Sequence, residues 1–94
     1  MNEQVYSSLV VSIIEHQESI IGPIAVERAS SVTGLSIDWP KKTVQITGEP
    51  MKVIDDLVDQ YKTLFGQISV EVCKEAVGRL AQQLSPEQMP ASLR

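Results

Sequence analysis

The chain is poor in cysteine and in aromatic residues. Cys73 is the only cysteine among its 94 residues, so no disulfide bond can form within the chain. A lone cysteine is compatible with a reducing compartment, and we expect the protein to be cytoplasmic. Aromatic residues make up only 4% of the sequence. The core must therefore consist mainly of Val, Ile, Leu and Ala side chains.

Positive charge and long apolar runs are also scarce. Lys and Arg total 8 against 12 for Asp and Glu, which gives a formal net charge of −4. Because Lys and Arg supply most of the affinity for nucleic acids and for anionic lipid surfaces, we expect neither partner. No apolar run approaches the length of a membrane-spanning helix. These features predict a chain that binds neither nucleic acid nor membrane.

The sequence lacks the motifs of common catalytic and metal sites. It has no glycine-rich phosphate loop, no Cys-x-x-Cys pair and no Gly-x-Ser-x-Gly turn. A nucleophilic Cys73 would need a neighbouring base, and His16 is the only imidazole in the chain. We therefore predict a protein that is not an enzyme and that holds no cofactor and no metal.

The clearest structural pattern lies between Gly48 and Gly66. Pro50 suits the first turn of a helix, and Gly66 suits the position just after its end. Between them the apolar residues recur at helical spacing, while three aspartates fall on the opposite side. This stretch predicts an amphipathic helix whose apolar stripe consists of Ile54, Leu57, Val58, Tyr61, Leu64 and Phe65.

Two helices and a hairpin are predicted before it. Paired apolar residues in 3–17 indicate a first helix, and a second runs from Pro23 to about Val32. From Leu35 the apolar positions alternate with polar ones, in 35–39 and again in 43–47, around a Pro40-Lys41-Lys42 turn. Pairing Trp39 with Val44 would place every apolar side chain of this hairpin on one face.

The stretch from Gln67 to Leu84 admits two interpretations. As a helix capped by Ser69 it presents one apolar side, with Ile68 packing on Cys73 as a hydrophobic staple. As a strand, Ile68, Val70 and Val72 alternate with polar residues, and only the later part is helical. The helix accounts for more residues and is the interpretation that we favour.

These elements predict a single α+β domain in the order α-α-β-β-α-α. A two-stranded antiparallel hairpin is packed by helices, the domain covers residues 1–90, and residues 91–94 form a frayed tail. The alternative is a ferredoxin-like βαββαβ fold with an added C-terminal helix. That fold requires strands at Leu9–Ile14 and Ile68–Val72.

Two short resemblances bear on function. The segment Ile20-Ile21-Gly22-Pro23-Ile24-Ala25, followed by Arg28-Ala29, resembles a motif of helical C-terminal modules in bacterial signalling proteins, including cyanobacterial serine/threonine kinases. This resemblance implies a non-catalytic regulatory or interaction role. The layout from Val32 to Leu57 is similar to the second half of heavy-metal-associated ferredoxin-like domains. Their Cys-x-x-Cys motif is absent here, so metal transfer does not carry over.

Six residues are candidates for an interaction surface. Val11 adds to an apolar excess on the first helix, and Gln45 lies on a strand that has no charged residue to protect its edge. Either feature would suit a homodimer, through paired first helices or through joined hairpins. Trp39 at the turn is a possible recognition residue, although closing the hairpin is its simpler role. The aspartates are candidates for an acidic docking patch, or else form a solvated helix face: Asp55, Asp56 and Asp59.

The predicted function follows from these features. We expect a non-catalytic protein–protein interaction or regulatory module that acts in signalling and associates with itself as a homodimer. The alternative is a sensor domain of ferredoxin-like shape for a small ligand or a metal.

Overall fold

The computed structural model describes residues 2–93, and its elements follow the predicted order. Four helices and one antiparallel hairpin confirm the small α+β domain. Residues 9–14 and 68–72 are helical, so the ferredoxin-like alternative is wrong. The elements are α1 (Asn2–Ile21), α2 (Ile24–Ser30), β1 (Leu35–Asp38), β2 (Thr43–Ile46), α3 (Pro50–Phe65), α4 (Gln67–Ala81) and two 3-10 turns, Pro86–Gln88 and Ala91–Leu93.

Helix α1 is the central element of the fold. It packs against α2, α3, α4 and β2, and its fully buried apolar residues include Leu9, Val10, Ile13 and Ile14. The helix runs four residues beyond the predicted end. Gly22, with a φ of 79°, ends it by adopting a left-handed conformation that an L-residue rarely adopts. Because one side of α1 is buried against three helices and the hairpin, its opposite side remains open to solvent.

Helix α3 packs through most of the stripe predicted for it. Ile54, Leu57, Val58 and Tyr61 are buried in the core. The last two members of the stripe, Leu64 and Phe65, are exposed, because the final turn of α3 extends past the end of the core. The amphipathic helix is thus confirmed, but its stripe is shorter than the sequence predicts.

The predicted hydrophobic staple at the start of α4 is wrong. The helix begins at Gln67, so Ser69 lies within its first turn rather than before it. The carbonyl of Ser69 accepts a 3.1 Å hydrogen bond from the side chain of Gln17, which holds the end of α1 against the start of α4. Ile68 then faces solvent, with 71% of its surface exposed, instead of covering Cys73.

The hairpin register differs from the predicted one by two residues. Val44 lies opposite Ile37, not opposite Trp39. The turn consists of residues 39–42: the amide of Lys42 donates a 2.9 Å hydrogen bond to the carbonyl of Trp39, and Lys42 has a φ of 55°. Trp39 therefore leaves the strand. Since the shift is an even number of residues, the same apolar side chains still share one face.

The end of the chain is ordered against α3, contrary to the predicted frayed tail. Residues 91–93 form a 3-10 turn, and Leu93 is buried in the core. Both the amide and the hydroxyl of Ser92 donate hydrogen bonds to Oδ1 of Asp55, at 3.0 and 2.6 Å. The Asp55 carboxylate therefore anchors residues 91–93 to α3. Residue 94 lies outside the described residues.

Candidate interaction surface

A groove runs along the open side of α1, between β2 and α4. Its volume is about 560 Å³. Three apolar side chains line it, one from each element: Val11 of α1, Val44 of β2 and Leu80 of α4. The floor is formed by small residues of α1, namely Ser7, Ser8 and Ser12, which we call the α1 shelf. The two features that suggested self-association, Val11 and the edge of the hairpin, thus border one groove.

The outer edge of β2 faces this groove and has no strand beside it within residues 2–93. Gly34 and Thr47 lie one position beyond the pair formed by Leu35 and Ile46. The amide of Thr47 donates a 2.7 Å hydrogen bond to the carbonyl of Gly34. Because hydrogen-bonded pairs alternate along an antiparallel ladder, the N–H and C=O groups of Val44 and Ile46 point away from β1. Those of Gln45 point toward β1.

The backbone groups of Gln45 therefore bond within the hairpin. Gln45 lies at the free edge only because it stands between Val44 and Ile46. Its side chain is exposed on the solvent face of the hairpin, next to that of Ser36 on β1. The neighbouring residues Val44 and Ile46 are half-buried against the core. Any strand added to this edge would bond to Val44 and Ile46 and would pass beside Gln45.

Trp39 fixes the hairpin turn to α1. Its indole Nε1 donates a 3.1 Å hydrogen bond to Oε2 of Glu18, and the ammonium group of Lys42 lies 4.1 Å from the centre of the indole ring. The same ammonium group is 3.5 Å from Oε1 of Glu18. A cation above an aromatic face and beside a carboxylate is favourable. Trp39 is thus half-buried in contacts within the chain.

The three aspartates of α3 have different surroundings, and none of them lines the groove. Asp55 is half-buried and anchors Ser92. Asp56 pairs with Lys52 one turn away, at 3.0 Å. Asp59 is exposed. The structure therefore separates them into one structural carboxylate, one paired carboxylate and one solvated carboxylate.

A second surface that the sequence did not predict lies at the far end of the helices. Among the described residues, four large apolar side chains are exposed: Ile20 (63%), Leu64 (37%), Phe65 (42%) and Ile68 (71%). The bond from Gln17 to Ser69 brings the end of α1 beside the junction of α3 and α4, where these residues lie. We call this group the apolar end. The helical pattern of the sequence assigns Leu64 and Phe65 to the core. In the structure both are exposed, because packing stops before the last turn of α3.

Cys73 is enclosed by the helices. Its thiol is fully buried, and Nε2 of Gln17 lies 3.4 Å from Sγ. Burial raises the pKa of the Cys73 thiol to about 11. The thiol is therefore protonated at neutral pH and has no access to solvent.

Within residues 2–93, no group of three or more His, Cys, Asp or Glu side chains is arranged to hold a metal ion. The helices in this part of the chain are each too short or too polar to cross a membrane.

Comparison with protein-family models, with curated proteins and with solved structures gives no match for this chain.

Proposed function

We propose that this chain is a non-catalytic protein-binding module of the cytoplasm that associates with itself as a homodimer and serves a regulatory role. The observation that carries the proposal is the shared groove: Val11 and the free edge of β2, which the sequence indicates as separate interfaces, border the same surface. One face can then bury both features at once. The motif at Ile20–Ala29 supports the regulatory part of the proposal.

The composition of the groove favours binding over chemistry. Its apolar residues come from three different elements, and one of its hydroxyls is engaged elsewhere, since Ser12 donates a 2.6 Å hydrogen bond to the carbonyl of Ala76. A free strand edge beside a helix is the arrangement into which proteins add an extended strand. Strand β2 carries no charged residue, so it offers little to repel another strand.

A second copy is the occupant that best suits this face. A face that pairs with itself must be self-complementary about a two-fold axis. This groove places a basic turn at one end of β2, and the exposed Glu49 lies just beyond the other end. An antiparallel arrangement of two copies brings the basic end of each against the acidic end of the other. The opposite charges would then attract, while the apolar middle would be covered.

The test is the mass of two matched variants in solution. Val11→Glu places a carboxylate in the groove near Glu15, and Ile68→Glu places one at the apolar end, where the side chain is already exposed. We expect sedimentation velocity to show a dimer for the native chain and for Ile68→Glu, and a monomer for Val11→Glu. A monomeric native chain would contradict the proposed self-association. If only Ile68→Glu dissociated the dimer, the interface would lie at the apolar end and not at the groove.

A further inference from the structure

We infer that β2 pairs antiparallel with β2 of a second copy, about a two-fold axis that passes beside Gln45, so that two hairpins form one four-stranded sheet. This inference rests on the proposed self-association and specifies its geometry. It specifies which residues of the two β2 strands lie opposite each other. A dimer formed through the helices alone would have no such strand pairing.

The outward backbone groups of β2 favour one position for the axis. Val44 and Ile46 are the residues of β2 whose N–H and C=O groups point away from β1. An antiparallel pairing in which Val44 of each copy bonds to Ile46 of the other satisfies both residues within β2, whereas an axis at Val44 would place Ile46 opposite Lys42 in the turn. Gln45 then lies opposite Gln45 of the second copy, on the axis. Every outward backbone group of the two residues finds a partner, which is the condition for covering a strand edge.

Charge is complementary in this register. Continued past the strands, the pairing places Lys41 of each copy opposite Glu49 of the other. Both residues are exposed in the single chain, and the Lys41 ammonium has only a 4.0 Å contact with Asp38. A parallel arrangement would instead bring Lys41 against Lys41. The antiparallel register is therefore the one that these charges favour.

The α1 shelf leaves room for the added strand. Ser7, Ser8 and Ser12 are short side chains that lie beside the free edge, and Val11 stands among them. In the two-fold arrangement the α1 shelves of both copies face each other under the joined sheet. Val11 of each copy is then covered at the interface, together with Val44. The sheet and the helix contacts are two parts of one interface.

Variants with one added cysteine test the register. In the inferred dimer the two Gln45 positions form a pair without backbone hydrogen bonds, about 4.5 Å apart at Cα, which is within reach of a disulfide. Thr43 lies on the same strand and the same exposed face. The two Thr43 positions are on opposite sides of the axis, more than 10 Å apart. The native Cys73 is buried and should stay reduced. Gln45→Cys should therefore form a disulfide-linked dimer under mild oxidation, and Thr43→Cys should form at least about tenfold less.

Mixing two variants checks the register independently. Thr43 of one copy lies opposite Thr47 of the other, so an equal mixture of Thr43→Cys and Thr47→Cys should cross-link although neither variant does so alone. Equal cross-linking of all variants would overturn the inferred register. A dimer by sedimentation in which Gln45→Cys does not cross-link would overturn the register and leave the proposed self-association standing. A monomer by sedimentation would overturn both.

Discussion

The hydroxyl of Tyr61 donates a 2.7 Å hydrogen bond to the carbonyl oxygen of Ala25, and this bond ties α3 to α2 in the interior. Tyr61 is fully buried, and burial raises the pKa of its hydroxyl above the usual value of 10. Tyr61→Phe keeps the ring and removes the donor. We expect it to lower the free energy of unfolding by about 1–2 kcal/mol, as measured by urea denaturation. An unchanged value would show that the bond contributes nothing to stability.

Alkaline pH should destabilise the protein through Cys73. Burial raises the pKa of its thiol from 9.0 to about 11, so the folded state retains the proton that the unfolded state loses first. The stabilisation is complete below pH 9 and disappears as the pH rises through 11. By pH 10, urea denaturation should show a loss of about 1.4 kcal/mol relative to Cys73→Ala, the variant that lacks this titration.

Near neutral pH, Cys73→Ala should fold normally and lose only about 1 kcal/mol, because the substitution removes one small buried group. Parallel pH profiles of the native chain and the variant between pH 8 and 10 would contradict the role assigned to this thiol.

Asp55 should control the attachment of the C-terminal segment. Asp55→Ala removes the carboxylate that accepts both hydrogen bonds from Ser92, and it should cost about 1–3 kcal/mol. The amides of residues 92 and 93 should then exchange their hydrogens faster. Asp59→Ala is the matched control on the same helix, because Asp59 is exposed, and it should change stability by less than about 0.5 kcal/mol. Equal effects of the two variants would argue against the anchor.

Two glycine variants should change stability in opposite directions. Gly34 has a φ of 88°, and a Cβ there would lie 2.6 Å from the carbonyl oxygen of Thr47. Gly34→Ala should therefore cost more than about 1 kcal/mol. Gly78 lies within α4, and beyond the adjacent residues and backbone of that helix no atom lies within 4 Å of an added Cβ, so Gly78→Ala should gain about 0.5–1 kcal/mol. Thermal denaturation of both variants separates the outcomes. A stabilised Gly34→Ala would mean that the backbone adjusts at this position.

The sequence predicts the elements well because their signals are local. Pro50 and Gly66 mark the ends of α3, and alternation from Leu35 marks the hairpin. The order of elements follows from such patterns, whereas for the start of α4 the pattern admits both a strand and the helix that the structure has. Periodicity cannot show how far packing extends along a helix. For that reason Leu64 and Phe65 are predicted as core and are exposed.

The errors arise where contacts are distant in sequence. The turn register depends on Trp39 reaching Glu18 on α1, and the order of the last residues depends on Ser92 reaching Asp55. Neither contact has a local signature. Val11 and Gln45 are indicated as separate candidates, and only the fold places the two elements that carry them along one groove. Of the residues that line the groove, the sequence indicates only Val11 as a candidate, and it gives no sign that Val11 lies beside β2.

Sedimentation equilibrium of the unmodified chain at micromolar concentration tests the central claim most directly. The claim is that the groove face binds a second copy. A two-fold dimer should give a mass of about 21 kDa, twice the 10.4 kDa of one chain, and the mass should fall toward one chain on dilution. A mass that stays at 10.4 kDa across this concentration range would contradict self-association.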